Sequence, residues 1–347
     1  MKRSKRLTLV FAFLCAFALT AALTAVSLGT SRIAFTDAAS ALLGRSDDAS
    51  VAAIVSYRVS RVALAALVGA ALSLAGAVLQ ALLRNPLADP YILGVSGGGA
   101  LGAALYITFG PAVLVALGQA TSASGFSALA VAAFAGSLAA SGVVLFAGRR
   151  HGRILPGTLL LVGVMVNALS GAAVLALTYL SNVAQSHSIV VWLMGNLSTL
   201  TLSRASLSLS ACAVIVMSGL LWRLGARLNL MSLGDEAAAH LGVNVVRTRL
   251  VAFVLAALLT GLSVALAGPI GFVGLVVPHL TRFLVGADHR VLFPACALSG
   301  AGFLMLADTA ARTMKPGVEL PVGILTACIG APVFIFILRS RRGHYFE

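Results

Sequence analysis

Charged residues are scarce in this sequence, and acidic residues are the scarcest among them. Only 10 of the 347 residues are Asp or Glu, against 24 Lys and Arg, and charged residues together make up 10% of the chain. Ordinary soluble domains carry roughly a quarter of their residues as charged side chains. With 60% hydrophobic residues and a mean hydropathy of +1.03, the composition excludes that class and indicates a polytopic membrane protein.

Residues that bind metals or close disulfides are also few. The four cysteines lie in apolar stretches without a CxxC pair, and the six histidines are scattered singly along the chain. This pattern gives no zinc site, haem-attachment motif or disulfide framework, and it predicts that the cysteines are buried packing residues. The sequence also lacks the GKS or GKT ending of a Walker A loop. We therefore predict that this chain itself binds no metal, cofactor or nucleotide.

Long apolar runs dominate what is present. A membrane-spanning helix needs about 20 largely apolar residues. Ten such windows can be placed, at 7–28, 59–83, 92–109, 126–148, 154–180, 204–224, 247–267, 272–286, 291–311 and 320–338. The window 272–286 is short and 154–180 is long, so each is a candidate for a tilted, broken or re-entrant helix. The sequence thus predicts an all-α membrane protein with ten transmembrane helices and both termini on one side.

Basic residues are distributed unevenly between the two sides of this arrangement. With the N-terminus in the cytoplasm, 17 of the 24 lie inside and seven outside, the latter being Arg32, Arg45, Arg58, Arg61, Arg204, Arg312 and Lys315. This bias follows the positive-inside rule and predicts that both termini are cytoplasmic. It also accounts for the net charge of +14 without a nucleic-acid partner.

The N-terminal run admits a second interpretation. Lys2 to Arg6 followed by apolar residues also fits a secretory signal peptide, with small residues for cleavage at 16–25. We prefer a retained first helix, because its apolar stretch is longer than a typical signal core. The count of ten spans, with its excess of basic residues on the inner side, is also obtained only if this helix is retained.

A dense group of turn-forming residues, LLRNPLADPYILGVSGGGALG, occupies positions 82–102. Asn85-Pro86 is predicted to end one helix because the residue before proline avoids the helical region, and Asp89-Pro90 starts the next turn. The glycines that follow suit a phosphate cradle or a close helix contact. A phosphate loop needs a preceding strand, which this apolar context does not provide, so close helix packing is the favoured interpretation.

The stretch LNLMSLGDEAAAHLGVNVVRTR, at 228–249, is the longest charged loop on the predicted inner side. Gly234 and Gly242 bound it, and we expect one short amphipathic helix that does not cross the membrane. Asp235 and Glu236 fall in its first turn, where acids complement the helix dipole. Such a helix lies on the membrane surface, docks a partner, or forms a simple interfacial loop; the residues alone leave these three alternatives open.

A weak internal echo links two of the windows. The triplet Leu-Ala-Gly at 74–76 precedes Pro86 by the same interval at which the triplet at 266–268 precedes Pro278. Because the two helices enter the membrane from opposite sides in this topology, the echo predicts an inverted repeat, with chance similarity in an Ala-rich chain as the alternative.

Several longer motifs then carry a family resemblance. Six motifs resemble, in chain order, blocks of the permease subunits of ABC importers for iron-siderophores, haem and cobalamin. They are YRVSR (57–61), RNPLADPYILGVSGG (84–98), LGDEAAAHLGV (233–243), GPIGFVGLVVPHLTR (268–282), ADTAAR (307–312) and ELPVGILTACIGAPVF (319–334). The resemblance covers nearly the whole chain. It implies a single permease domain over 1–347, with a coupling segment at about 228–249, working in the bacterial inner membrane with two copies of the permease, in a homodimer or pseudodimer.

The same resemblance implies the remaining partners. Two cytoplasmic ATPase subunits would use ATP and Mg, and a periplasmic binding protein would deliver the ligand. The ATPase would dock on the coupling residues Leu233, Gly234, Asp235, Glu236, Ala238, Leu241 and Gly242. The cytoplasmic gate would include Asn85, Leu87, Pro156 and Thr158. Membrane lipid surrounds the chain, and no nucleic acid is expected.

Three outer arginines are implied as docking residues for the binding protein. These are Arg58, Arg61 and Arg312, with Ser60 standing where the family has proline. Arginine suits such a role because it pairs bidentately with carboxylates. The alternative is that they anchor helix ends at the interface. Asp308 lies four residues before Arg312, and we predict that it pairs with this arginine rather than serving an ion path.

The leading hypothesis is therefore an ATP-driven importer permease that performs no covalent chemistry. An ion-coupled secondary transporter is the alternative, and it needs ionisable residues near mid-membrane. An intramembrane enzyme would need a nucleophile with a base or a metal cluster in the bilayer, and neither is readable. Among cargoes, the VWLMGNLS element (191–198) and the GVSGGG run favour cobalamin over haem or a ferric siderophore.

Overall fold

The computed structural model describes residues 2–29, 35–42, 48–116, 127–150, 153–198, 203–315 and 318–340. Predictions that involve Arg32, Arg45, His151, Arg341, Arg342 and His344 fall outside these residues. Nearly all of the described chain is helical. The helices are α1 (Lys2–Ser27), α2 (Phe35–Leu42), α3 (Ala49–Leu83), α4 (Val95–Ala116), α5 (Ala128–Ala147), α6 (Pro156–Leu180), α7 (Val183–Leu193), α8 (Arg204–Met231), α9 (Asp235–His240), α10 (Val245–Ala267), α11 (Val273–Val285), α12 (His289–Thr313) and α13 (Val322–Ser340).

Each of the ten predicted windows overlaps one helix of 13 or more residues. Within the described residues, seven helices are long and apolar enough to cross a membrane: α1, α3, α5, α6, α8, α10 and α12. The windows 92–109, 272–286 and 320–338 contain the shorter apolar stretches Val95–Gly110, Val273–Val285 and Val322–Phe336. The chain is thus a multi-pass membrane protein, and the window expected to be short holds the 13-residue α11.

The windows miss three small elements. The helices α2 and α7 are too short to span, and a tight hairpin pairs β1 (Arg149–Arg150) with β2 (Arg153–Ile154) between α5 and α6. A capping box starts α7, in which the Asn182 side chain accepts from the Gln185 amide while the Gln185 side chain accepts from the Asn182 amide. Window scanning cannot find such elements, because it responds to apolar length rather than to caps.

Polar side chains determine where several long helices begin. A side-chain oxygen accepts a backbone N–H in the first turn of α3, α5, α8, α10 and α12, and the capping residues are Asp48, Ser127, Ser203, Asn244 and Asp288. At the exposed start of α3, hydrogen bonds from the Ser50 hydroxyl and from the amides of Ser50 and Val51 hold the pKa of the Asp48 carboxyl below its ordinary value. These caps satisfy amides that have no partner inside the helix.

Helix α3 lies at the centre of the packing. It contacts α12, α10 and α11, while α4 packs between α5 and α6, and α1 lies along α12. The predicted close packing of the glycine run is confirmed at Gly98, where an added Cβ would collide with the Gly136 carbonyl of α5. The prediction for the cysteines is wrong for three of the four: Cys296 is buried, but Cys15, Cys212 and Cys328 lie on outward faces of apolar helices.

The predicted turn after α3 is a tight reversal. Arg84 ends α3 in the left-handed conformation (φ 47°). The Asn85 side chain accepts from the Leu87 amide at 2.9 Å. Buried Asp89 then caps the 3-10 helix Pro90–Leu93 by accepting from the Tyr91 amide at 2.8 Å. The chain therefore turns back before α4 begins.

A second break separates α10 from α11. It contains Phe272, the other non-glycine residue with positive φ (68°) in the described chain. The two breaks meet, because the Tyr91 hydroxyl accepts a hydrogen bond from the Ile270 amide and Pro90 lies against Gly274. These contacts join the two chain segments that follow the echoed triplets.

Candidate functional site

The predicted coupling segment consists of three parts rather than one helix. Residues 228–231 complete α8, residues 235–240 form α9, and residues 245–249 start α10. The short helix expected between Gly234 and Gly242 is confirmed as α9, and the rest of the stretch belongs to α8 and α10. The reason is that Leu228 and Met231 continue the buried face of α8, while the Asn244 side chain accepts from the Arg247 amide at 2.9 Å and begins α10.

The short helix itself lies where the glycines predicted it. Gly234 (φ 122°) and Gly242 (φ 82°) stand at its two ends in backbone conformations that other residues rarely adopt. Ala238 is buried against the protein, whereas Leu233 and Leu241 are 68% and 59% exposed. Glu236 and Gly242 are exposed as well. The outward face of α9 therefore combines apolar and acidic groups, which suits a protein partner.

Asp235 connects α9 to two other helices. Its Oδ1 accepts from Arg84 NH2, and its two carboxylate oxygens each accept from Arg249 NH2 at 3.0 Å. The same NH2 group of Arg84 donates to the Met231 carbonyl at 2.7 Å. Arg84, Asp235 and Arg249, which we call the α9 charge cluster, thus join the end of α3, the coupling helix and the start of α10.

The predicted gate residues lie near this cluster but not all together. A cavity of about 410 Å3 opens between the starts of α6 and α10 and the helix α9, and it is lined by Pro156, Asp235, Glu236 and Arg249, among others. Asn85 and Thr158 are half-buried, and Leu87 is exposed. Neither Asn85 nor Leu87 lines the cavity, but both directly follow Arg84 in the turn. The structure therefore brings Pro156 to the coupling helix and links Asn85 to it through one neighbouring residue.

The three outer arginines are buried and contact groups of the same chain. Arg61 donates from Nε and NH2 to the Asp308 carboxylate at 3.0 Å, and from NH1 to Glu319 at 2.6 Å. Arg312 Nε lies 3.0 Å from Asp308 Oδ2, which confirms the predicted pair at i and i+4. We call Arg61, Asp308, Arg312 and Glu319 the α3–α12 charge cluster.

Arg58 and Arg312 also bind the last turn of α1. Arg58 NH1 donates to the carbonyls of Val26 and Ser27 at 3.0 Å each, and Arg312 NH2 donates to the Ala25 carbonyl at 3.1 Å. These carbonyls have no partner inside the helix, and cations at this end complement its dipole. In the single chain these arginines therefore hold the end of α1 through buried contacts rather than by snorkelling to the interface. Docking through them stays a prediction, which requires that their guanidinium groups be uncovered.

Several contacts made by the two clusters were not predicted from the sequence. Glu319 and Tyr57 contact Arg61, and Arg84 and Arg249 contact Asp235. The scarcity of acids was a usable signal. A chain with ten acids has few possible partners for an arginine inside a span, so an ion pair with one of these acids is expected for each such arginine.

Known proteins similar to this chain are transport permeases. A model of the FecCD transport family matches residues 14–340. The hemin transport system permease protein HmuU of Yersinia pestis is 44% identical over 292 residues, covering 83% of each chain. The cobalamin import system permease protein BtuC of Halobacterium salinarum is 42% identical over 284 residues, covering 82% of this chain and 72% of its own.

A solved structure agrees with these relatives. It is an inward-facing conformation of a transporter assigned to the metal-chelate type of ABC transporters. That chain is 32% identical to this one and superposes with a TM-score of 0.79, covering 96% of this chain and 99% of its own.

Proposed function

This chain belongs to the FecCD transport family as a permease subunit of an ABC importer, and from that premise we propose its cargo, its topology and its partners. It is a transport protein rather than an enzyme, because its relatives are permease subunits and the family relies on a partner ATPase. The observation that carries the proposal is the outward-facing coupling helix α9, which is joined by ion pairs to the turn after α3.

For the topology, we propose one transmembrane domain over residues 1–347 with ten spans and both termini in the cytoplasm of a bacterium, across its inner membrane. The agreement between the ten windows and the helices supports the count, and the distribution of basic residues supports the orientation. An inverted repeat is part of this proposal. The contact between Tyr91 and Ile270, which joins the two breaks, supports it.

For the partners, we propose a second copy of this chain, two cytoplasmic ATPase subunits that use ATP and Mg, and a periplasmic binding protein. The ATPase would dock on Leu233, Gly234, Asp235, Glu236, Ala238, Leu241 and Gly242. The exposed apolar side chains at both ends of α9 support this surface, since single exposed leucines beside charged groups suit a groove on a partner. Asn85, Leu87, Pro156 and Thr158 are the proposed gate.

We propose that binding-protein docking involves Arg58, Arg61 and Arg312 by exchange of partners. Glu319 is 41% exposed, whereas Asp308 is buried. A carboxylate of the binding protein can therefore replace Glu319 on Arg61 while Asp308 stays in place. Glu319→Gln should strengthen docking, measured by binding of the cognate binding protein to permease in detergent, because it removes the competing carboxylate. Weaker docking of this variant would contradict the exchange.

For the cargo, we propose a metal chelate, with cobalamin as the first candidate over haem or a ferric siderophore. The named relatives support the class, since one carries hemin in its name and another cobalamin. Their identities of 44% and 42% are too similar to select between the two. The preference for cobalamin therefore depends on the VWLMGNLS and GVSGGG elements alone.

The test is uptake into proteoliposomes that contain the permease, its ATPase and its binding protein. We expect uptake of one of the three chelates only when ATP is present. Uptake that persists without the ATPase would instead favour an ion-coupled transporter. The structure gives that alternative little support, because Asp308, the acid predicted within a span, is held between Arg61 and Arg312.

A further inference from the structure

Asp235 is the single acid in the α9 charge cluster, and it contacts both arginines at once. Arg84 and Asp235 are each 44% exposed at the side chain, whereas Arg249 is only 7% exposed. The carboxylate therefore lies on the surface of the protein and reaches one arginine that is accessible and one that is enclosed. Because α9 has no side-chain cap at its start, these two ion pairs are its polar attachment on that side.

Arg84 occupies a backbone position that usually belongs to glycine. It ends α3 in the left-handed region (φ 47°, ψ 35°). A residue with a Cβ is disfavoured there relative to the right-handed region, and glycine is common at this position. The Arg84 side chain is used elsewhere, since it reaches the Met231 carbonyl and Asp235. The backbone of Arg84 thus sets the direction of the Asn85–Leu87 turn, and its side chain binds the coupling helix.

Arg249 carries the second contact into the helix bundle. It lies in the first turns of α10, and α10 packs against α3, α5 and α8. A shift of α9 therefore acts at two points, on the turn after α3 through Arg84 and on the start of α10 through Arg249. The Arg84–Asp235 pair is half-exposed, so it can break and re-form at small cost, whereas the enclosed Arg249 holds Asp235 more firmly.

We propose that Asp235 is a positioning residue that transmits movement of the coupling helix to the Asn85–Leu87 turn and to α10. The inference builds on the proposed function, in which an ATPase moves α9. Binding of the ATPase depends on the docking residues at α9, and transmission depends in addition on Arg84 and Arg249, which are not among them. The two steps therefore respond to different substitutions.

The experiment uses the complete importer in proteoliposomes and measures ligand moved per ATP hydrolysed. Arg84→Gln and Arg249→Gln, which lie outside the proposed docking residues, should each lower this ratio about tenfold, within the usual range of coupling between sites, while the ATPase stays bound and active. Asp235→Asn should lower the ratio at least as far. The double variant Asp235→Asn with Arg84→Gln should be no worse than Asp235→Asn alone, because Asp235→Asn already removes the Arg84–Asp235 contact. Arg227→Gln, an exposed arginine of α8, is the matched control and should leave the ratio unchanged.

The outcomes separate this inference from the proposed function. A wild-type complex without ATP-driven uptake would overturn the proposed function. A working wild type with an unchanged ratio in Asp235→Asn and Arg84→Gln would overturn the inference alone. Loss of ATPase binding in Arg84→Gln or Arg249→Gln would also overturn it, because the α9 charge cluster would then serve docking only. If Asp235→Asn does not accumulate, Arg84→Gln decides, since its side chain is partly exposed and its loss leaves Arg249 paired.

Discussion

Two charge clusters in this protein share one design and differ in their surroundings. In each, one aspartate lies between two arginines: Asp308 between Arg61 and Arg312, and Asp235 between Arg84 and Arg249. The aspartate of the α3–α12 charge cluster is 2% exposed, and that of the α9 charge cluster is 44% exposed. Near the start of α3 the shared aspartate is thus enclosed, and at the end of α3 it is partly exposed.

Burial changes what such an arrangement can do. Breaking a buried ion pair leaves an uncompensated charge in a medium of low polarity, so its partners stay together. An exposed pair gains little net energy and competes with water and salt. The comparison indicates that the α3–α12 charge cluster fixes α1, α3 and α12 relative to one another. The α9 charge cluster is suited to rearrangement when a partner pushes on the coupling helix.

The largest expected effect is on the buried cluster. Asp308→Asn should lower the free energy of unfolding by about 3–5 kcal/mol, because it leaves the guanidinium groups of Arg61 and Arg312 without their shared carboxylate. Thermal unfolding in detergent measures the loss. Asp37→Asn, at an exposed residue of α2, is the matched control. An unchanged unfolding temperature for Asp308→Asn would contradict the structural role of the α3–α12 charge cluster.

The next effect concerns the attachment of α1. Arg58→Gln should lower the free energy of unfolding by about 2 kcal/mol, because it removes charge-assisted hydrogen bonds to the carbonyls of Val26 and Ser27. Unfolding temperature and protease cleavage near the end of α1 measure the change. Arg204→Gln is the control, because Arg204 is exposed and its guanidinium donates to the Ser56 hydroxyl rather than to the end of α1. Equal behaviour of the two variants would contradict the anchoring role.

A smaller effect is expected when the exposed cluster is cut. Asp235→Asn should lower the free energy of unfolding by about 1–2 kcal/mol, because its pair with Arg84 is exposed, whereas its loss also leaves the enclosed Arg249 without a carboxylate. The same thermal unfolding assay, run beside Asp308→Asn, measures the difference between the two clusters. A loss as large as that of Asp308→Asn would show that the α9 charge cluster is as structural as the buried one.

The smallest effect is a response to salt. At about 1 M salt the screening length falls to about 3 Å, so the small stability gap between wild type and Asp235→Asn should narrow. The gap for Asp308→Asn should persist, because buried pairs are screened much less. Unfolding temperatures of the three proteins at low and high salt test this. A gap for Asp308→Asn that narrows as well would mean that water reaches the buried cluster.

Local patterns in the sequence predicted much of this structure. Apolar length located the ten main helices, glycine spacing located the ends of α9, and the spacing of four residues found the Asp308–Arg312 pair. Each of these features depends on residues within a few turns of one another, or on the membrane itself, which imposes a length on every span.

Features that join distant residues were not predictable in this way. Arg61 and Asp308 are 247 positions apart, and Arg84 and Asp235 are 151 apart. Nothing in the periodicity of a helix specifies which distant helix it will touch, because that choice depends on how all the small and large side chains pack. The burial of Arg58 and the meeting of Tyr91 with Ile270 belong to the same class.

Transmission of α9 movement to this permease through the Arg84–Asp235 pair is tested most directly by the amount of ligand moved per ATP hydrolysed. Wild-type and Arg84→Gln importers are compared in the same proteoliposomes. We expect a ratio about tenfold lower in the variant, with unfolding temperature and ATPase binding nearly unchanged. An equal ratio in the two importers would contradict this transmission.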